Sequence, residues 1–433
     1  MQTSSLAGCR VIELGTMLAA PFAAHILGQL GAEVIKVEPP AGDPTRSLVR
    51  GGPSGTFIAY SFGKKSVCID LYSAEGYEAF RALLATADVL IHNLSPGSAR
   101  RLKVTREECQ AIRPGLVYCH IRGYGPGPLE NELASNPVAE ASTGVMEANV
   151  VNGRPSRLGP SYHDQFAGAY AAIGILSSLM QQRAQAPQQA RQVQQAEQTP
   201  EAARASDYVE IGLYETGLHV AARDLAGVQL KTQIFGRPER EPNGEFSMPG
   251  YGAYRTADGR WIYLLMLNDG HWAKFCDVLA LPQATDDSLK TLRLRKKRFG
   301  EVESIVKGAI GALPYAQLAE RFGQAGFGFT EVMPIETVLT NPQAQVPGKL
   351  ASFGLDGLSF DVPVFPHDLS EAAAPCEPPP RLGEHTSAVL GAVGIAPARY
   401  AELLAAGAVK EDTHTGPLWA PAVAESRPQA MPV

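Results

Sequence analysis

Short apolar runs alternate with helical spacing over the first 125 residues. Residues 9–14 (CRVIEL), 33–38 (EVIKVE), 66–71 (SVCIDL), 88–93 (DVLIHN) and 116–121 (LVYCHI) are dense in Val, Ile and Leu and predict strands. Between them, residues 21–30 carry helical spacing and stop at Gly31. Helices are also predicted over 74–87 and over 105–112, the latter with Thr105 as its cap. Strands spaced by helices imply βαβ units and a mostly parallel sheet, whose ligands sit in loops at the carboxyl ends of the strands.

Further on, helical spacing returns at about 134–148 and 166–182. Residues 182–206 are almost all Gln, Ala, Arg and Glu, and predict a polar surface insertion or a frayed helix. A strand over 207–214 and a helix over 215–230 follow. The Pro- and Gly-rich stretch 231–250 then predicts a crossing to a second domain. That domain holds a strand at 261–266 and helices at 271–279 and 299–324. Strand-like and irregular segments fill 330–368, and a helix starts near Arg381 to Thr386, with Thr386 as a candidate cap.

Composition narrows the function class. The 433 residues are 45% hydrophobic and 19% charged, an ordinary globular balance, and the net charge of −6 lacks the basic footprint of a nucleic-acid binder. No apolar run reaches the ~18 to 20 residues that span a bilayer, and the start lacks the pattern of a signal peptide. A cytoplasmic location without membrane or nucleic-acid partners is therefore expected. The six cysteines are scattered and the nine histidines form no metal-binding spacing, so no metal site is expected.

Two lookalike motifs fail. The turn from Leu14 to Pro21 follows a strand as a dinucleotide loop would, but lacks the glycines that admit a pyrophosphate. Gly63 to Ser66 (GKKS) resembles a P-loop end, yet Ile58 stands where its partner glycine belongs. Lys64 and Lys65 read either as a polar loop or as a phosphate clamp. Small residues at 19–21, the two lysines, Asn93, Arg100 with Arg101, and Gly123 to Gly127 (GYGPG) are expected to gather at one sheet edge. Small turns plus basic side chains suit a phosphate-bearing ligand with a long thin arm, such as coenzyme A. For Arg100 and Arg101 a solvated helix start remains the alternative.

Several landmarks occur together: Leu6 to Leu14 (LAGCRVIEL), Ala20-Pro21, Leu30 to Glu38 (LGAEVIKVE), GKKS at 63–66, Asn93 with Pro96-Gly97, Gly123 to Gly125, Pro249 to Gly252 (PGYG) and Leu382 to Thr386 (LGEHT). In this order they resemble the family III CoA-transferases, whose relatives include α-methylacyl-CoA racemases. The resemblance covers about residues 6–410. It implies an α/β fold, with a Rossmann-like large domain built on a parallel sheet and a smaller α+β domain. The expected division is 1–225 and 336–410 for the large domain, 226–335 for the small one, and 411–433 as a loose tail. An interlocked homodimer is also implied.

The resemblance further implies an aspartate nucleophile at Asp164, before a glycine-containing helix. From position alone Asp164 reads first as a helix cap, and the resemblance reverses that order. Met17, Ala19, Lys64, Lys65, Asn93, Arg100, Arg101 and Tyr124 are the expected CoA-binding residues. Tyr162, His163, Gly250 and Gly252 are expected near the substrate, and the role of His163 stays open. The implied reaction moves CoA from an acyl-CoA donor to a carboxylic acid acceptor, with CoA thioesters as substrates and no tightly bound cofactor. Two alternatives stand beside it. A racemase needs a histidine about thirty residues before the aspartate, where residues 133–138 (LASNPV) have none. A non-catalytic acyl-CoA-binding relative is the other.

Overall fold

The computed structural model describes residues 4–49, 52–192, 207–236, 248–366 and 376–412. Parts of the expected insertion (193–206), of the domain crossing (237–247) and nearly all of the tail (413–433) lie outside the described residues. The chain forms two compact units, Met1–Ala221 with Pro347–Val433, and Ala222–Val346.

In the first unit the order is β1 (Arg10–Glu13), α1 (Ala19–Gln29), β2 (Glu33–Glu38), α2 (Gly55–Ser61), β3 (Lys65–Ile69), α3 (Ala74–Leu84), β4 (Val89–His92), α4 (Pro96–Arg101), α5 (Arg106–Ile112) and β5 (Val117–Arg122). Next come α6 (Asn136–Ser142), α7 (Val145–Ala148), the small hairpin β6 (Val150–Val151) and β7 (Arg154–Pro155), α8 (Tyr162–Gln192) and β8 (Tyr208–Gly212). Six strands pair in parallel in the order β3-β2-β1-β4-β5-β8, and Val409–Lys410 closes the β3 edge antiparallel.

Both faces of this sheet are covered, which is why its strands read as nearly unbroken apolar runs. Val11, Val34, Val89, Ile91, Val117 and Cys119 pack under α1 and α8. Ile12, Ile35, Val67, Ile69 and Leu90 face the opposite way, onto Phe80 and Leu83 of α3 and onto Leu390 from the C-terminal helix Thr386–Ala392. The hairpin Leu350–Leu355 with Leu358–Pro363 packs Phe353 and Val362 against Ile58 and Phe62.

The second unit has its own core. An antiparallel sheet of Ala253–Arg255, Trp261–Leu264 and Phe329–Glu331 buries Ile262 and Leu264 against Phe275, Val306 and Phe322. Among the described residues no helix is long and apolar enough to cross a membrane.

Some boundaries depart from the sequence expectation. The 134–148 helix breaks at Gly144, whose φ of 81° is left-handed, into α6 and α7. The long helix starts at Tyr162 rather than 166 and runs on to Gln192. Thr386 is not a cap: its buried hydroxyl lies 2.8 Å from the Gly383 carbonyl and 2.9 Å from the Lys410 carbonyl, which share its one proton, and accepts from the Cys68 N–H, tying the C-terminal segment to β3.

Candidate active site

The sheet order reverses between β1 and β4, so the crevice at their carboxyl ends is the natural ligand position. The turn after β1 lies there, and side chains from distant segments hold its backbone. Asn93 Oδ1 accepts from the Thr16 N–H at 2.9 Å, and Asn93 Nδ2 donates to the Thr16 carbonyl at 2.8 Å. Lys36 Nζ donates to the Gly15 carbonyl at 2.8 Å, and Lys64 Nζ to the Pro21 carbonyl at 2.9 Å. Met17, a non-glycine residue at φ 62°, keeps its side chain well exposed beside these anchors.

A buried ionic cluster carries the anchors. One Glu13 oxygen takes Lys36 at 2.7 Å and the other takes Lys64 at 2.6 Å. Lys36 also meets Asp43 at 2.8 Å, while Glu38 pairs with Arg46 at 2.6 Å and accepts from Ser66 Oγ at 2.7 Å. Carboxylates and cations thus balance, which is what buried charge requires. Burial opposes the Lys36 charge, but Glu13 and Asp43 outweigh it and hold the ammonium above its ordinary value. At Lys64 burial wins and its value falls.

Of the two lysines, Lys64 reaches the 19–21 segment through the Pro21 carbonyl, whereas Lys65 lies apart from it. Lys64 is enclosed, its ammonium bound to Glu13 and the Pro21 carbonyl rather than turned outward. Lys65 opens β3 and pairs with Glu33 at the start of β2, so it lies at the amino edge of the sheet. Arg100 and Arg101 are exposed on α4, just beyond β4, with Arg101 donating to Ser98 Oγ at 2.9 Å. Ala19 is buried at the start of α1. Tyr124 is buried with its ring 5.5 Å from that of Tyr214, and the next N–H, of Gly125, donates to both Glu215 oxygens at 3.0 Å.

Asp164 stands in the first turn of α8. One turn later Gly168 lets α8 approach α1: a Cβ there would lie 2.6 Å from the Ala19 carbonyl oxygen. The turn after β1 and the Asp164 helix therefore meet through a glycine contact. The N–H groups of His163 and Asp164 both donate to Asn136 Oδ1, at 3.0 and 3.3 Å. Among the described residues no donor bonds the Asp164 carboxylate. Burial pushes it up to about 6, with Arg157 pulling it down and Glu140 adding to the rise.

Tyr162 is exposed, whereas His163 is buried and points inward, its Nε2 3.3 Å from Thr143 Oγ1. Thr143 donates its one proton to the Ala139 carbonyl at 2.7 Å, so His163 Nε2 is the donor of the pair. Burial lowers the His163 value, while Glu140 pulls it back up. The helix Leu213–Val220 crowds it, since a Cβ at Gly217 would lie 2.4 Å from Nε2.

Glu140 and Thr143 escape a reading of the sequence, and Asn136 enters it only within the 133–138 stretch that lacks a histidine. The available signal is spacing: Asn136 and Glu140 stand four apart on one face of α6. In the second unit, the Gly250 N–H donates to Glu303 Oε1 at 2.7 Å, and the Gly252 carbonyl accepts from Leu264 N at 2.9 Å.

The chain is similar to known proteins over most of its length. CoA-transferase family III is matched over residues 6–386. Human succinyl-CoA:glutarate CoA-transferase is 29% identical, covering 94% of this chain and 91% of its own. The beta subunit of succinyl-CoA–L-malate CoA-transferase from Chloroflexus aurantiacus is 27% identical, covering 90% and 94%. The crystal structure of a CaiB/BaiF family protein from Brucella suis superposes with a TM-score of 0.75 at 25% identity, covering 90% of this chain and all of that one. A match over nearly the whole chain, in sequence and in fold, makes this protein a member of CoA-transferase family III, an enzyme that acts on CoA thioesters and exchanges CoA between an acyl donor and a free carboxylic acid.

Proposed function

We propose that this enzyme moves CoA from an acyl-CoA donor, succinyl-CoA foremost, to a small dicarboxylic acid, with Asp164 as nucleophile. The names of the relatives support the substrate class. The observation that carries the nucleophile is the Asp164 carboxylate itself, half-buried in the first turn of α8 with no hydrogen-bond donor spent on it.

An Asp164 oxygen attacks the thioester carbonyl and the C–S bond breaks, giving a mixed anhydride and CoA thiolate. The thiolate attacks the aspartyl carbonyl, releasing the donor acid and leaving an aspartyl-CoA thioester. The acceptor carboxylate then attacks that thioester, and the released thiolate takes the acyl group from the second anhydride. Asp164 is regenerated and no net proton moves, so no general base is needed. A glycine-tight contact beside the site helps to exclude water from the anhydride.

Arg100 and Arg101 hold the CoA phosphates in this reading, with Met17, Ala19 and Tyr124 near its path. Lys64 and Asn93 shape the turn after β1 instead of touching the nucleotide. An interlocked homodimer belongs to the same reading, and the exposed Ile173 and Met180 on α8 are apolar surface that such an assembly would cover.

Incubation with succinyl-CoA and hydroxylamine should give a hydroxamate on the Asp164 peptide, read by mass. An unmodified peptide, or full activity in Asp164→Ala, would sink the reading. Racemisation has less support, because residues 133–138 bring Asn136 and no histidine to the Asp164 turn. Deuterium uptake at the α-carbon in D₂O without acceptor acid would revive it.

A further inference from the structure

A helix leaves its first N–H groups without partners, and a polar residue just before or inside the first turn normally accepts them. In α8 two local residues are suited to that task, Ser161 and Asp164. Neither performs it. Ser161 Oγ accepts from Arg157 Nη2 at 3.4 Å, and the Asp164 carboxylate makes no such bond. The N–H groups of His163 and Asp164 go instead to one oxygen of Asn136, a buried residue on α6 and distant in sequence.

The amide of Asn136 has a fixed orientation. Its Nδ2 donates to Glu140 Oε1 at 2.5 Å, and a carboxylate accepts only from the NH₂ side. Glu140 is fully buried, and its second oxygen accepts from the Leu158 N–H at 3.2 Å. No cation pairs with it among the described residues. A buried carboxylate without a cation is costly, so its presence calls for a reason. The reason at hand is that it turns Oδ1 of Asn136 toward the start of α8.

We propose that Asn136, oriented by Glu140, is a positioning residue that caps α8 in place of Asp164 and so keeps the nucleophile's carboxylate uncommitted. This rests on the reading of Asp164 as nucleophile. A carboxylate engaged with N–H groups of its own helix is held down in basicity and turned away from a substrate. An external cap removes that competition. A neutral amide does so without adding charge: the charged groups acting on Asp164 are Glu140 and Arg157, and burial lowers the value of the adjacent His163.

The test follows the rate of Asp164 hydroxamate formation from succinyl-CoA and from acetyl-CoA, with hydroxylamine present, across pH. Thermal melts of each variant accompany it. In Asn136→Ala the Asp164 carboxylate turns onto its own N–H groups. The rate then falls about 10- to 100-fold, and the acid limb moves to lower pH. In Asn136→Asp the acceptor is kept but a charge is added, so the limb moves to higher pH. The pair N136D/E140Q exchanges the charge and the amide, and it returns the limb toward the native position. A merely structural role lowers the rate without moving the limb in opposite directions. An unmoved limb in both N136D and N136A overturns the proposal. If N136A does not fold, N136D and the exchanged pair decide alone. Absence of any label on native Asp164 instead overturns the nucleophile reading, so the two failures are told apart.

Discussion

Asn93 grips the peptide of Thr16 from both sides, accepting from its N–H and donating to its carbonyl. The two residues follow β1 and β4, the strands between which the sheet order reverses. A single side chain thus fixes the distance across the crevice. Asn93→Ala is expected to raise the KM for acyl-CoA about tenfold with kcat nearly unchanged, the mark of lost uniform binding. Steady-state kinetics against the acyl-CoA concentration reads this. A fall in kcat alone would contradict it.

Lys64 occupies the end of a motif that looks like a phosphate site, yet its ammonium is sealed against Glu13. Lys64→Met leaves half of that carboxylate unpaired. Removal of one partner of a buried pair costs about 3–5 kcal/mol, so the melting temperature should drop sharply without any ligand. A phosphate clamp would behave otherwise: normal melting, and weaker binding of CoA thioesters than of pantetheine thioesters.

Arg100 and Arg101 are exposed on α4, which follows β4. Replacing both with Gln should raise the KM for acyl-CoA and flatten its dependence on salt. The same change should leave turnover of acyl-pantetheine, which lacks the nucleotide phosphates, nearly untouched. Equal losses with both thioesters would assign the arginines elsewhere.

The Asp164 carboxyl at about 6 lies above its ordinary value of 3.8 because burial disfavours its charge. Between those values the folded protein holds a proton that the unfolded chain has lost, so stability declines as pH rises through that window. Asp164→Asn removes the penalty. It should be more stable than the native enzyme by up to roughly 3 kcal/mol at about pH 8, and equal to it near pH 3. Denaturant unfolding at the two pH values measures this. With Asp164 as the proposed nucleophile, activity should fall as pH drops below about 6.

Gly168 is where α8 touches α1. A methyl group at that point meets backbone, which cannot rotate away. Gly168→Ala should destabilise by about 1–3 kcal/mol, as overpacking does, and should raise the KM for acyl-CoA by shifting Ala19. Melting temperature and kinetics together check both halves. Unchanged values for either would show that the two helices part without consequence.

The parallel sheet is legible in the sequence because covering both faces demands runs such as 33–38 and 88–93, and little else produces them. Asp164 stands out by position and by resemblance as the proposed nucleophile. Its cap does not. A local cap leaves a mark in the residues before a helix, whereas Asn136 acts from α6 across folded space. That is also why the helix start reads as 166: the apolar period begins after the polar residues 162–165, whose helical state depends on a remote acceptor. Lys64 and Lys65 show the reverse difficulty. Adjacent lysines look alike in a string, but the extended chain sends one inward to Glu13 and the other to the surface at Glu33.

Lys36 and Lys64 share a single carboxylate, one on each oxygen of Glu13. No member of this trio can be exchanged alone without stranding a charge in the interior. The three positions, scattered over fifty residues of chain, are therefore bound to drift together or not at all. Met17, which the trio helps to support, faces outward and is under no such tie. Variation among relatives should then concentrate on the visible tip of the turn, where ligand preference can change, while its hidden foundation is inherited whole.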